Sequence, residues 1–491
     1  MASAGLWMLV ALGALTVASG LPVWALLVGV ASAFALGGLA AGAFGSAVLF
    51  TVPGRLLNLL DHDLLQAMPL YVFIGVLLQR LPLGDALFAC GRRLLRGTGA
   101  APSLSALAVG ALVAPMNGSV AASSALLSRL VGPQLAAMPP ARAITLASVA
   151  ATIGVVVPPS LVLILLGDAM LRAHTEASNL PGYTQGTQRI VNTQDVLHAA
   201  LLPACAVLLL WAVVAWWQGR VVAQASAGAQ ADPARASGAP RSAQPTSREW
   251  LLAAAATLGI FALLAGVFTG RLFAVEAAAT GACVLVACTL AWRALGAAQW
   301  SSVLQDTLAL SGALFALLVG ATTFSLVFRL FGTDRWLAAA VLGSPWPPLA
   351  TAAVVLAGTA LCAWVLDAFE MIFVIIPIVA PLLVVQMGDA QQVAVLLLLV
   401  LQASFLLPPL GYAVLMARAQ SKLPPVRTRD LVPALAPFIA AQLLVLVAVF
   451  SWPSAVHHLD AAAAAPSAAP SEDEVTRQML EMSKPVEDEK K

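Results

Sequence analysis

Two proline pairs, Pro158-Pro159 and Pro408-Pro409, stand 250 residues apart inside long apolar stretches, and the same offset carries Asn117 onto Asp367. Each polar position therefore precedes its proline pair by 41 residues. Proline has no amide hydrogen and clashes with the turn before it, so two in succession break a helix. One such break is readily a structural kink. A break that recurs at matched spacing from a polar residue reads as one membrane unit used twice. Interrupted helices in corresponding positions of two halves are the best sequence pointer to a transporter's binding site.

Composition agrees with a membrane setting. Of 491 residues, 60% are hydrophobic and 10% charged, where soluble domains carry about 25% charged residues. The five cysteines (Cys90, Cys205, Cys283, Cys288 and Cys362) lie in or beside apolar segments without a C-x-x-C pair. They read as small packing residues, with no structural disulfide and no zinc expected. The first apolar run resembles a signal peptide but has no Lys or Arg before Arg55, so it is expected to stay as a membrane helix with its N-terminus outside.

Crossing the hydrocarbon takes about 20 apolar residues. Segments of that kind fall near 4–20, 23–50, 64–80, 139–170, 198–218, 250–269, 272–292, 304–329, 391–417 and 431–452. Two more apolar regions, near 101–131 and 349–386, carry a polar or acidic residue at the centre and are expected to enter the membrane and turn back. The expected fold class is thus an all-α polytopic membrane protein of about ten transmembrane helices plus two re-entrant helical hairpins. Each half reads span, span, span, hairpin, span, span. Five crossings is an odd number, so the second half starts on the opposite side and the two halves form inverted repeats. The first repeat covers 1–218 and the second 250–456.

Charge orients these spans. With the N-terminus outside, six of the 25 Lys and Arg residues fall in outer loops (Arg55, Arg172, Arg189, Arg271, Arg329 and Arg335), four in the C-terminal tail and fifteen in inner loops. An excess of basic residues marks the cytoplasmic side. Residues 219–249, rich in Ala, Ser, Gly, Pro and Gln, read as a flexible cytoplasmic linker between the halves. The acidic stretch 457–491 reads as a disordered, solvated tail, with a docking tail as the alternative. Residues 83–97, with Arg92, Arg93 and Arg96, and the matching 332–347 are either amphipathic arms on the membrane surface or ordinary loops.

The chemistry is expected at the interruptions. An unpaired backbone amide in lipid costs several kcal/mol, so a turn at that depth must face protein or a wet cavity. At the first tip, Gly118 permits a sharp turn, and Asn117 and Ser119 offer oxygens. A plain helix with small polar packing residues is the alternative. Carbonyls freed before each break, oxygen ligands that suit a hard cation, pair Asn117, Gly118 and Ser119 with Gly154, Val157 and Pro158, and Leu366 and Asp367 with Ser404, Leu407 and Pro408. A half-helix N-terminus can face an anion, which places a substrate between the tips near Asn117, Ser119, Ser160, Asp367 and Gly411. Acidic residues at membrane depth are expensive and usually functional, and Glu370, three residues from Asp367, would share its helix face. Asp168 and Asp306 read as boundary residues, Glu276 as a partner in a helix–helix hydrogen bond, and Trp211, Trp216 and Trp217 as an interfacial belt. His62, His174, His198, His457 and His458 show no metal-ligand spacing such as H-E-x-x-H.

With Ala67-Met68-Pro69-Leu70, Val157-Pro158-Pro159-Ser160, Gly320-Ala321-Thr322-Thr323-Phe324, Leu366-Asp367, Pro377, Pro381 and Pro408-Pro409-Leu410-Gly411 in place, the chain resembles the large membrane subunit of TRAP (tripartite ATP-independent periplasmic) transporters over nearly its whole length. The resemblance implies an elevator-type permease of the bacterial inner membrane that imports small organic anions by sodium symport. It implies two partners, a periplasmic substrate-binding protein and a small membrane subunit, with sodium as coupling ion, no other cofactor and no nucleic acid. It also implies that ATP is not used, and the chain has no G-x-x-x-x-G-K-[ST] loop. Where the family commonly has Ser-Gly-Ser at the first tip, this chain has Asn117-Gly118-Ser119. Ser123 and Leu407 stand where Asp and Thr are usual. A self-sufficient sodium/anion symporter is the alternative within the transporter class. An intramembrane enzyme would need a catalytic constellation, and the chain has neither a G-x-G-D motif nor a Ser/His pair at matching depth; no enzymatic activity is expected.

Overall fold

The computed structural model describes residues 3–60, 63–117, 119–130, 135, 138–158, 160–183, 191–228, 245–408, 411–421 and 426–459. These are helical almost throughout, and no strand occurs among them. The expected linker between 229 and 244 and the tail from 460 lie outside the described residues, as do His62, Gly118, Pro159, Pro409 and Leu410.

The first half opens with α1 (Ser3–Ser19), α2 (Val23–Ala40), the short α3 (Val52–Leu60) and α4 (Asp63–Arg80). The expected second span, 23–50, is corrected: α2 stops at Ala40. Gly42 takes a positive φ of 68°, a turn that ends the helix and that glycine adopts at no steric cost. After α4 the chain bends by 67° at Leu81-Pro82 into α5 (Leu83–Leu94), so the first arm is a helix rather than a loop. It buries Leu87, Phe88 and Cys90 and carries Arg92 and Arg93 in its last turn. Then come α6 (Ala101–Asn117) and α7 (Val120–Leu130), which pack on one another, followed by α8 (Pro140–Val156), α9 (Leu161–Ala177) and α10 (Thr193–Gly228). α10 runs past the expected boundary at 218.

The second half has α11 (Ser247–Phe268), α12 (Ala274–Ala291), α13 (Ala297–Leu330), the arm α14 (Thr333–Leu342) and α15 (Pro348–Cys362). It closes with α16 (Ala368–Met387, with a π-helical turn at Met371–Ile375), α17 (Ala390–Leu406), α18 (Tyr412–Gln420) and α19 (Thr428–Ser451). Local signals set these ends. Thr246 and Glu249 form a capping box at α11, and Asp389 caps α17 by accepting the Gln392 amide at 3.0 Å. Glu276 is likewise a cap: its Oε2 accepts the Phe273 amide at 2.9 Å, correcting the expected helix–helix contact.

Among the described residues, seven helices are long and apolar enough to cross a membrane, or nine if the bent pairs α4–α5 and α8–α9 each count as one span. The count differs from ten because α1 and α17 are shorter and α16 qualifies alone.

Packing separates two groups. α2 lies along α13, α4 against α12 and α13, and α11 against α12 and α5. The other group contains the hairpins and the bent helices, with α10 and α19 beside them. At its centre stand α8 and α17. Every residue of α17 is buried, as is every residue of α8 from Ala143 to Val156. A helix apolar on all faces belongs in such a position. α11, by contrast, buries only 17% of its most apolar window and leaves most of its surface outside the core.

Side chains tie these layers together. Arg80 pairs with Asp306 at 2.6 Å between α4 and α13, and Arg329 with Glu176 at 2.5 Å between α13 and α9. Asp168 pairs with Arg172 one turn away. Trp211 corrects the interfacial expectation. It is fully buried and donates its indole N–H to the Phe438 carbonyl at 3.0 Å, while Trp216 and Trp217 are exposed.

Two helix backbones meet directly at Gly154. A Cβ there would lie 2.4 Å from the carbonyl oxygen of Ala114, and that oxygen belongs to backbone. Gly154→Ala is expected to lower the apparent Tm in detergent, with a cost of about 1–3 kcal/mol from overpacking. Gly259→Ala, where a Cβ meets nothing within 4 Å, is expected to leave Tm unchanged or raise it, because alanine is the better helix former. Thermal unfolding of the two variants side by side checks the contrast.

Candidate functional site

The two helix breaks have one geometry. Val157, which ends α8, has φ −77° and ψ 116°, and its counterpart Leu407, which ends α17, has φ −73° and ψ 116°. Each precedes a proline, whose ring forces the residue before it out of the α region. Because Pro158 and Pro159 have no N–H, the carbonyls of Gly154 and Val155 have no donor one turn later. Pro408 and Pro409 do the same to Ser404 and Phe405. Ser404 finds partial relief, as its carbonyl accepts the Leu407 amide at 3.2 Å, while its hydroxyl donates to Val400 at 2.7 Å. Beyond the first break, fully buried Ser160 caps α9 by accepting the Leu163 amide at 3.1 Å. Beyond the second, Gly411 donates its amide to the Leu407 carbonyl at 2.9 Å and starts α18. Pro158 is buried and Pro408 half-buried.

The hairpin tips meet across 248 residues of sequence. The Ser119 hydroxyl donates to Oδ2 of Asp367 at 3.0 Å, and the Val120 amide donates to the same carboxylate. Asp367 also caps its own helix, with Oδ1 accepting the Ala368 amide at 2.8 Å. Glu370 completes the capping box by accepting the Asp367 amide at 3.0 Å. One carboxylate thus sits at the N-terminal ends of both α7 and α16, where helix dipoles favour negative charge. Leu366, just before it, is buried and donates its amide to Cys362. Asn117 is the last residue of α6; its side chain and Gly118 lie outside the described part.

Each bent helix links the halves. α9 packs on α16, and α18 packs on α7 and α8. Gly154 stands against Ala114 and Pro115, just ahead of the first tip. Tyr412, at the start of α18, lies within electrostatic reach of Asp367 and Glu370 and packs against Phe405, with ring centroids 6.2 Å apart. Tyr412 was not singled out from the sequence, although its place after the second break was a signal. Nor was Gln402, whose Nε2 donates to the Thr152 carbonyl at 3.2 Å. Gln402 is itself 250 positions from Thr152, so the two bent helices touch at equivalent points. Its Oε1 is buried without a partner among the described residues.

The tips bring a hydroxyl and a carboxylate to two helix N-termini, and each break leaves carbonyl oxygens without an N–H one turn on. No cluster of three His, Cys, Asp or Glu residues suited to a metal occurs among the described residues. A cation held here would be bound mainly by backbone and hydroxyl oxygens, a donor set that suits hard ions.

Comparisons with known proteins agree with this architecture. The chain is similar in fold to the YdaH transporter of Alcanivorax borkumensis, whose crystal structure is described as having an unusual topology: TM-score 0.54 and 19% identity, over 83% of this chain and 88% of that one. It is also similar to MtrF of Neisseria gonorrhoeae, described as belonging to a class of antimetabolite efflux pumps: TM-score 0.50 and 14% identity, over 82% and 83%. Among curated proteins no match is found. The family model "Tripartite ATP-independent periplasmic transporter, DctM component" matches residues 7–455, and the chain belongs to that family, as the large membrane component of a TRAP transporter.

Proposed function

We propose that this subunit imports small organic anions, carboxylates in particular, across the bacterial inner membrane by sodium symport. A periplasmic binding protein delivers the substrate and a small membrane subunit braces the scaffold. The observation that carries this reading is the Ser119–Asp367 contact, which joins the hairpin tips of the two halves beside helix breaks of matching geometry.

In this reading the two halves are inverted repeats. Their hairpins and bent helices (α6–α9 and α15–α18) form the moving unit of an elevator, and α1–α4 with α11–α13 form the fixed scaffold. The Asp367 carboxylate matters in both parts of the cycle. Buried charge is costly unless compensated, and three donors here compensate it only in part. One sodium held near Ser119 with the freed carbonyl of Gly154, and a second near Asp367 with that of Ser404, would cancel the remaining charge. Neutralising Asp367 would also lift the repulsion that an incoming carboxylate meets at the α7 N-terminus, which makes ion binding a precondition for anion binding. Support for the substrate class comes from that helix end, a natural anion site, and from family membership.

Proteoliposomes containing the large and small subunits, supplied with the cognate binding protein, are expected to take up radiolabelled carboxylate only under an inward sodium gradient. Uptake indifferent to sodium removes the coupling, and full uptake without the binding protein favours the self-sufficient symporter. Asp367→Ala is expected to abolish transport while membrane insertion and expression stay at wild-type levels. Ser119→Ala, which removes one donor worth about 1.5–3 kcal/mol to a charged acceptor, is expected to weaken apparent sodium affinity by about tenfold or more. Transport at the wild-type rate by Asp367→Ala contradicts the site.

A further inference from the structure

Away from the tips, the scaffold encloses a cavity of about 380 Å³ between the inner end of α4, the first four turns of α11 and the last turns of α12. Its walls are almost wholly apolar, with Leu78, Leu252, Ile260 and Val284 among them. Arg248 lines its mouth together with Trp292. Arg248 is exposed and makes no ion pair or hydrogen bond among the described residues. The cavity follows α11 from Arg248 to Leu263, about 22 Å of helix. That equals half of a bilayer of about 40–45 Å, headgroups included.

The mouth lies on the face that carries the inner-loop arginines. α5, with Arg92 and Arg93 in its last turn and Arg96 just beyond it, packs on α11, and Arg293 follows Trp292. Against these cations stand Asp85 and Glu249. Glu249 accepts the Thr246 amide at 2.6 Å and makes no ion pair with Arg248 among the described residues, and the arginines at this face outnumber the two acids. A tryptophan and an unpaired arginine at headgroup level over an apolar shaft match a lipid's polar and apolar parts.

We propose that this cavity is a binding site for an anionic phospholipid of the cytoplasmic leaflet, one acyl chain filling the shaft and the phosphate resting on Arg248. The lipid would fill the space between α4 and the α11–α12 pair, so the scaffold would be rigid only in a membrane that supplies it. This does not depend on the transport reading above.

Gly259 provides the test. It lines the cavity, and a Cβ there meets nothing within 4 Å, so Gly259→Phe can fill the shaft without a backbone clash. Gly13, on α1 and equally open, serves as control for placing Phe on a helix. The full-length chain, delipidated in detergent, is titrated with phosphatidylglycerol or phosphatidylethanolamine and read by native mass spectrometry, alone and bound to its small membrane subunit. Wild-type protein and Gly13→Phe are expected to retain phosphatidylglycerol in preference to phosphatidylethanolamine. Gly259→Phe should lose the retained lipid. Arg248→Gln should lower the preference for phosphatidylglycerol by about fivefold, the effect of one basic residue at a membrane surface. Lipid retention by Gly259→Phe at the wild-type level, or a preference unchanged in Arg248→Gln, overturns the proposal. So does loss of the lipid whenever the small subunit is bound, which would make the cavity a subunit contact.

Discussion

The architecture depends on what proline does to a helix with no water beside it. A residue before proline leaves the α conformation, and the carbonyls one turn back lose their donors. At a protein surface, water would take those carbonyls. Here the two affected helices, α8 and α17, are buried on every side, so other parts of the protein must approach the breaks or the oxygens must stay available to a ligand. At Gly154 the α6 backbone does come into direct contact with α8, but the atoms it brings, the Ala114 carbonyl and the Pro115 nitrogen, carry no hydrogen to donate, so this approach supplies no donor to a freed carbonyl.

The hairpin tips meet a related demand. The chain reverses at each tip, and α7 and α16 both begin at a reversal. The Asp367 carboxylate accepts from Ser119 at the start of α7 and from Ala368 at the start of α16. It also joins two elements 248 residues apart in sequence. Glu370 accepts the Asp367 amide and so pins the backbone from which that carboxylate projects.

Much of this was legible in the sequence for chemical reasons. Proline pairs act locally, so the breaks at 157–158 and 407–408 could be placed without knowing any tertiary contact. Asp367 stood out because charge is rare in apolar runs. What could not be read was long-range or depended on helix phase. Trp211 was grouped with Trp216 and Trp217, yet five residues along a helix rotate a side chain by about 140°, enough to turn one tryptophan into the core and leave another facing outward. Glu276 was placed inside a span because no Ser, Thr or Asp marks the start of α12; the cap is formed by the glutamate alone. The bond from Ser119 to Asp367 joins two loops whose meeting is decided by every helix between them.

The link from Gln402 to Thr152 has a consequence for how such a chain can evolve. The acceptor is the backbone carbonyl of Thr152, which any residue at 152 would carry, so only the giver is tied to a residue type. Position 402 needs a long amide side chain, while position 152, fully buried, is held only by the volume around its side chain. Small residues can therefore replace one another at 152 with the bond intact, whereas an apolar residue at 402 ends it.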